Sequence, residues 1–155
     1  MAYLTGADKP PTGCGCVFCA KRTAPDDHEH VLARGQFALV TLNKYPYNNG
    51  HLMILPYAHV ASLEDLDPPA LTELMLLTNR GLVVLRAAYR PDGFNIGVNL
   101  GKAAGAGIAD HVHVHIVPRW SGDTNFMPII GETRVIPETL DQTYARLRPL
   151  FDQIL

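Results

Sequence analysis

His111-Val112-His113-Val114-His115-Ile116-Val117 alternates imidazoles with branched aliphatic side chains. A period of two sorts side chains onto two faces only when the chain is extended. His111, His113 and His115 then share one face, while Val112, Val114 and Ile116 share the other and point into a core. Three imidazoles in a row are costly to bury without partners, so packing has little use for them. The segment predicts a strand with one face for packing and one for chemistry, either a metal tripod or a catalytic site. Pro118 is expected to end it.

Immediately upstream, GKAAGAG at 101–107 supplies Gly101, Gly105 and Gly107. Glycines let backbone N–H groups come close to an anion. A histidine strand beside an amide-rich loop suits attack on phosphorus, since it supplies a nucleophile, a proton donor and an oxyanion stabiliser. Phe94 to Leu100 reads as another strand. Phe37 to Leu42 and His51 to Leu55 read as two more, joined by NKYPYNNG, whose Pro46 and Asn49-Gly50 predict a turn between antiparallel neighbours.

Asp67-Pro68-Pro69 opens a helix, with an acidic N-cap and proline in the first turn, and Arg90-Pro91-Asp92-Gly93 stops it after about Tyr89. Leu71, Leu74, Leu77, Val84, Leu85 and Ala88 form one stripe; Met75, Leu76, Leu82 and Val83 lie off it. A helix apolar on more than one face is covered on both, either by its own core or by a second subunit. Arg134-Val135-Ile136 reads as a short strand. Pro137 to Leu155 closes the chain as a helix with Leu140, Tyr144, Leu147, Phe151 and Leu155 on one side, kinked or interrupted at Pro149. The order of elements predicts an α+β fold: a mainly antiparallel sheet, one long central helix and a C-terminal helix.

The 155 residues amount to one domain, and 47% apolar against 18% charged residues is ample for a core. Thirteen basic against 15 acidic side chains give a net charge of −2, which argues against binding a nucleic acid polymer or an anionic membrane through bulk charge. No window is apolar enough to span a bilayer. The first twenty residues lack a basic start followed by an apolar run, so a cytoplasmic location is expected. Residues 1–34 form an irregular lead-in to a domain at 35–155. Within it Cys14, Cys16 and Cys19 are an odd, crowded set, which reads as metal ligands rather than a disulfide framework. Surface thiols are the alternative.

HVHVHIV, together with LNKYPYNNGHLMILPYAH at 42–59, GVNLGKAAGAG at 97–107 and PRWSGDTNF at 118–126, resembles the histidine-triad (HIT) superfamily over roughly residues 35 to 130. PRWSGDTNF resembles the branch that hydrolyses or phosphorolyses dinucleoside polyphosphates such as diadenosine tetraphosphate. The resemblance implies a HIT-like fold in which His113 attacks the α-phosphate and becomes a covalent nucleotidyl-histidine. His115 bonds to and protonates the leaving oxygen, and main chain near His111 holds the His113 tautomer. It places Asn43 on the ribose, His51 in the site, and Asn99 with Gly105 to Gly107 on phosphate. Many members carry a Gln or Ser where this chain has Ala106-Gly107, leaving backbone amides and Lys102 for that contact. Trp120 is a candidate for stacking on a base. Water or phosphate is the acceptor, magnesium accompanies the polyphosphate, and a homodimer is typical. An adenosine phosphoramidate hydrolase and a non-catalytic zinc-containing nucleotide-binding module are the alternatives.

Cys16-Val17-Phe18-Cys19 resembles the CxxC of many bacterial members, whose structural zinc is completed by two histidines. Their counterparts here are His59 and His111, making residues 1–34 a zinc-knuckle segment. Cys14 is a possible substitute for Cys16, and His28 and His30 are outside alternatives to His59.

Overall fold

A computed structural model describes residues 15–124 and 137–154. Its centre is one five-stranded sheet built from β1 (Val31–Arg34), β2 (Ala38–Leu42), β3 (Leu52–Pro56), β4 (Gly93–Val98) and β5 (Val114–Arg119). The strands lie in the order β1-β2-β3-β5-β4, and every neighbouring pair is antiparallel. Among the described residues three α-helices accompany it: the single turn α1 (Val17–Ala20), the long α2 (Pro68–Tyr89) and α3 (Leu140–Ile154). The α+β, antiparallel architecture is the one expected from the sequence.

Strand alternation divides the interior in two. Val40 and Leu42 of β2, Leu52 and Ile54 of β3, and Val114 and Ile116 of β5 join the main core under α2 and α3. Leu39, Met53 and Leu55 face the other way, against Phe18 of α1. The second face carries the triad histidines, so the helices stabilise one side of the sheet and leave the other for chemistry.

α2 lies close to the sheet at Gly81, where a Cβ would stand 3.0 Å from Ile116 and 3.2 Å from Leu52. Its start agrees with expectation: Asp67 is the N-cap, followed by the two prolines, although its carboxylate makes no capping bond. Leu74, Leu77, Val84 and Leu85 are buried. Leu71, expected in that stripe, is exposed along with Met75, Leu76 and Val83. Among the described residues, then, the helix's second apolar side is uncovered.

Four local expectations are corrected. Residues 31–34, expected in the irregular lead-in, form β1, a strand too short for its alternation to register beside Gly35. Pro118 does not end its strand; it pairs with Phe94 inside β5. The main-chain N and O of a strand residue face the same neighbour, and at Pro118 that neighbour is a side chain: Asn48 Nδ2 donates to its carbonyl at 3.0 Å. No ladder bond needs the missing N–H. The assigned strand begins at Val114, because β3 turns away after Pro56 and Val60 instead accepts the Val112 amide at 2.7 Å. Pro149 sits inside α3 without interrupting it; fully buried Leu147 and Phe151 hold the helix on either side. Arg134-Val135-Ile136, Leu155 and Cys14 lie outside the described residues.

Glu73 of α2 closes the β1–β2 turn by accepting the amides of Gln36, Phe37 and Ala38 at 2.5 to 2.9 Å. Its carboxylate fills the space where a Cβ on Gly35 would stand, 2.7 Å away. Charge-assisted bonds to several amides are among the stronger polar contacts. Glu73→Ala is expected to cost about 2–4 kcal/mol, lowering the melting temperature by roughly 6–15 °C; a calorimetric shift below about 2 °C would contradict it.

Candidate active site and metal cluster

The three histidines do three different things. His111 is buried, and its Nε2–H donates to the Pro56 carbonyl at 2.8 Å. That bond leaves Nδ1 as the lone pair, and Nδ1 lies 3.4 Å from Cys16 Sγ and 3.6 Å from Cys19 Sγ. Cys19 Sγ lies 3.3 Å from His59 Nδ1. The ligand atoms of Cys16, Cys19, His59 and His111 all fall within 4.8 Å of one another. Sulfur and nitrogen ligands at tetrahedral zinc distances are themselves about 3.5 Å apart, so these spacings fit a four-coordinate ion. A ring N–H fixed by a carbonyl is the usual support for such a ligand. His28 is exposed, and His30 bonds to Asp141 at 2.7 Å, so neither joins the cluster.

Arg34 holds the segment that brings the cysteines in. Its guanidinium donates to the carbonyls of Lys21, Arg22 and Ala24 and to Asp26. Phe18, between the two cysteines, stands edge-on to the rings of His111 and His113, with centroids 5.6 and 4.9 Å away.

His113 Nδ1 lies 2.9 Å from the His111 carbonyl. A carbonyl only accepts, so Nδ1 carries the proton and Nε2 is the lone pair. Burial lowers the pKa of His113, keeping the ring neutral and nucleophilic at pH 7. His115 is oriented by a second chain of donors. The Tyr47 amide donates to His51 Nδ1 at 3.1 Å, so His51 is protonated at Nε2, which donates to His115 Nδ1 at 2.9 Å. His115 therefore carries its proton on Nε2. Burial, reinforced by the neighbouring imidazoles, pushes His51 down to about 3 and His115 down to about 4. The centroids of His113 and His115 are 4.6 Å apart: a lone pair and an N–H donor stand side by side.

Both rings line a cavity of about 190 Å³ with apolar walls from Phe18, Met53 and Ile108 and polar groups from Asn43, Asn99, Gly105 and Gly107. A second cavity of about 430 Å³, containing Arg119, adjoins it and shares Tyr47, Asn99 and His115. His51 reaches its place because Gly50 has φ +74° and no room for a side chain, with Leu85 2.9 Å from where a Cβ would stand.

The structure thus brings His113, His115, Asn43, Asn99, Gly105 and Gly107 together around one cavity, with His51 behind His115. Asn43 also does turn work, its Oδ1 accepting the Tyr45 amide at 3.0 Å. The amides of Ala104, Gly105 and Ala106 point back to carbonyls of Gly101 and Lys102, so much of the glycine loop's donor capacity closes the loop itself. Lys102 and Trp120 are not brought to either cavity; Trp120 stands edge-on to Tyr89 at 6.4 Å. Sequence reasoning missed Phe18, Tyr45, Tyr47 and Met53 as lining. The one signal for Phe18 was an aromatic residue between two candidate ligands.

The HIT domain family matches residues 24–122, nearly two thirds of the chain. The chain belongs to the HIT domain family. Among curated relatives of this HIT protein, an AP-4-A phosphorylase of Mycobacterium tuberculosis is 50% identical over 118 residues, 76% of this chain and 60% of that protein. An asymmetrical bis(5'-nucleosyl)-tetraphosphatase of Schizosaccharomyces pombe is 33% identical over 121 residues, 78% of this chain and 63% of that protein. The HIT chain thus spans less than two thirds of either relative. A zinc-bound histidine triad family protein of Mycobacterium smegmatis superposes with a TM-score of 0.71 at 27% identity, over 90% of this chain and 94% of that one.

Proposed function

We propose that this HIT protein is a nucleotidyl hydrolase or transferase that cleaves dinucleoside polyphosphates at the α-phosphate. The observation that carries the reading is the pair of contacts, His113 Nδ1 to the His111 carbonyl and His51 Nε2 to His115 Nδ1, that set a nucleophilic Nε2 on His113 beside an N–H on His115 in one cavity. The relatives named above act on tetraphosphates by their names, which supports that substrate class.

In the first step His113 Nε2 attacks the α-phosphorus, the P–N bond forms, and the bond to the bridging oxygen breaks. His115 Nε2–H bonds to that oxygen as charge develops on it. A polyphosphate leaving group ionises near neutrality, so the hydrogen bond is sufficient and full proton transfer is not required. The His113 Nδ1–H, held by the His111 carbonyl, stays in place, so the adduct is a cationic imidazolium and a good leaving group. In the second step an oxygen of water or phosphate bonds to the phosphorus, the P–N bond breaks with its electron pair returning to His113 Nε2, and the proton that an attacking water sheds passes to solvent. Asn43, Asn99 and Gly107 line the same cavity, where Asn43 would meet the ribose hydroxyls and Asn99 and Gly107 the phosphates. Cys16, Cys19, His59 and His111 hold a structural zinc, which supplies a crosslink and no step of the reaction.

Product analysis with diadenosine tetraphosphate tests the reading. ADP plus ATP appearing only with inorganic phosphate marks a phosphorylase, and AMP plus ATP without phosphate marks a hydrolase. Turnover of adenosine 5′-phosphoramidate alone would replace the substrate class. The bare apolar side of α2 supports a homodimer, expected as a doubled mass in light scattering on the same sample.

A further inference from the structure

We propose that Asn48 and Asp123 form a latch that fixes the tautomer of His115, making both positioning residues for the leaving-group side of the reaction. The inference rests on the function proposed above.

The polarity of His115 at the cavity is set two rings away. A neutral imidazole can carry its proton on either nitrogen. While the Tyr47 amide points at His51 Nδ1, that nitrogen must accept, and the order of protons runs outward to His115 Nε2–H. If the amide drifts, His51 can be protonated at Nδ1 and offer its Nε2 lone pair. His115 then turns its own proton inward to Nδ1 and presents a lone pair to the departing oxygen. Attraction becomes repulsion without any ring moving.

The position of Tyr47's amide is therefore worth controlling. Its ring stands against His51 and His115, with centroids 4.8 and 6.3 Å away, but the residue is 52% exposed, and the next residue adds a hold on the main chain. Asn48 Nδ2 donates to the Pro118 carbonyl at 3.0 Å and to Asp123 Oδ2 at 2.9 Å. Both neighbours accept, so the amide has one satisfactory orientation. The two bonds lace the 43–51 loop to β5, three residues beyond His115, and to the turn that follows.

Asp123 is itself held from several sides. Arg119 grips both its oxygens at 2.6 Å, and the Trp120 amide adds a third donor at 3.2 Å. The Arg119 bonds hold this carboxyl well below the usual carboxylate range, so it remains an acceptor. Arg119 in turn is braced on β4 by Asn95 Oδ1 at 2.7 Å.

Asn48→Asp sets a carboxylate against Asp123 and the Pro118 carbonyl; Asp123→Asn and Asn48→Ala weaken the same link more gently. On diadenosine tetraphosphate, Asn48→Asp is expected to lower kcat about 10- to 100-fold with KM changed by less than about threefold. The defect should shrink to under about threefold on a dinitrophenyl ester of adenosine 5′-phosphate, whose leaving group is far less basic than a polyphosphate and needs no donor. In a His115→Asn background Asn48→Asp should cost nothing further. Nitrogen NMR of labelled imidazoles reads the cause directly: His115 protonated at Nε2 in the parent, and shifted toward Nδ1 in Asn48→Asp and Asp123→Asn. Equal losses on both substrates, or an unchanged His115 tautomer, would overturn the latch. If the parent protein leaves diadenosine tetraphosphate intact, the functional reading fails, while the NMR result still decides the latch.

Discussion

His113→Ala is expected to abolish turnover of diadenosine tetraphosphate, lowering kcat by at least about 10⁴-fold. The size follows from the geometry. Among the described residues no other imidazole presents a lone pair at that point of the cavity: His115 shows it an N–H, His51 stands behind His115, and His111 turns its free nitrogen to the cysteines. The cavity walls from Phe18, Met53 and Ile108 survive the substitution, so nucleotide affinity should change little. Rapid quench with substrate labelled at the α-phosphate gives a second readout. Label should appear on the parent protein in an acid-labile, base-stable bond, as a P–N linkage requires, and be absent from the variant. Residual activity within tenfold of the parent would remove His113 as nucleophile and bring the binding-module reading forward.

Paired replacement of Cys16 and Cys19 by serine should remove one equivalent of zinc and lower the melting temperature by about 10 °C or more. A ligand bound a thousandfold above its dissociation constant contributes about 4 kcal/mol, and in a chain this size that corresponds to roughly 8–16 °C. The sheet and its helices have their own core, so the domain should remain folded while residues 15–30 become open to proteases. Activity should fall as well, because His111 gives its side chain to the cluster and its carbonyl to His113. Metal analysis finding no zinc in the purified parent, or identical melting with and without chelator, would contradict this.

The sequence made some of this architecture plain and hid the rest for physical reasons. HVHVHIV announced its two faces because period two is a strong code and histidine is rare in it. The β2 and β3 runs and the capped, proline-started α2 were equally clear. β1 was not, since four residues carry too little alternation. Pro118 misled because a proline's cost depends on which neighbour its nitrogen faces, and that is a tertiary fact. The crowded cysteines pointed to a metal, but their histidine partners were visible only through resemblance: 92 residues separate Cys19 from His111. The tautomers of His51 and His115 were not legible at all, because they depend on a backbone amide at Tyr47, and any residue but proline supplies one.

Because each strand residue and its successor live in different compartments, the histidine strand reads like a two-letter code with a fixed frame. One residue added between His111 and Val117 would send valines into the cavity and imidazoles under α2, exchanging the two vocabularies at a stroke. An insertion near this strand is therefore expected to be tolerated only in its punctuation, the loops before His111 and after Arg119. In between, letters can change while the count must hold.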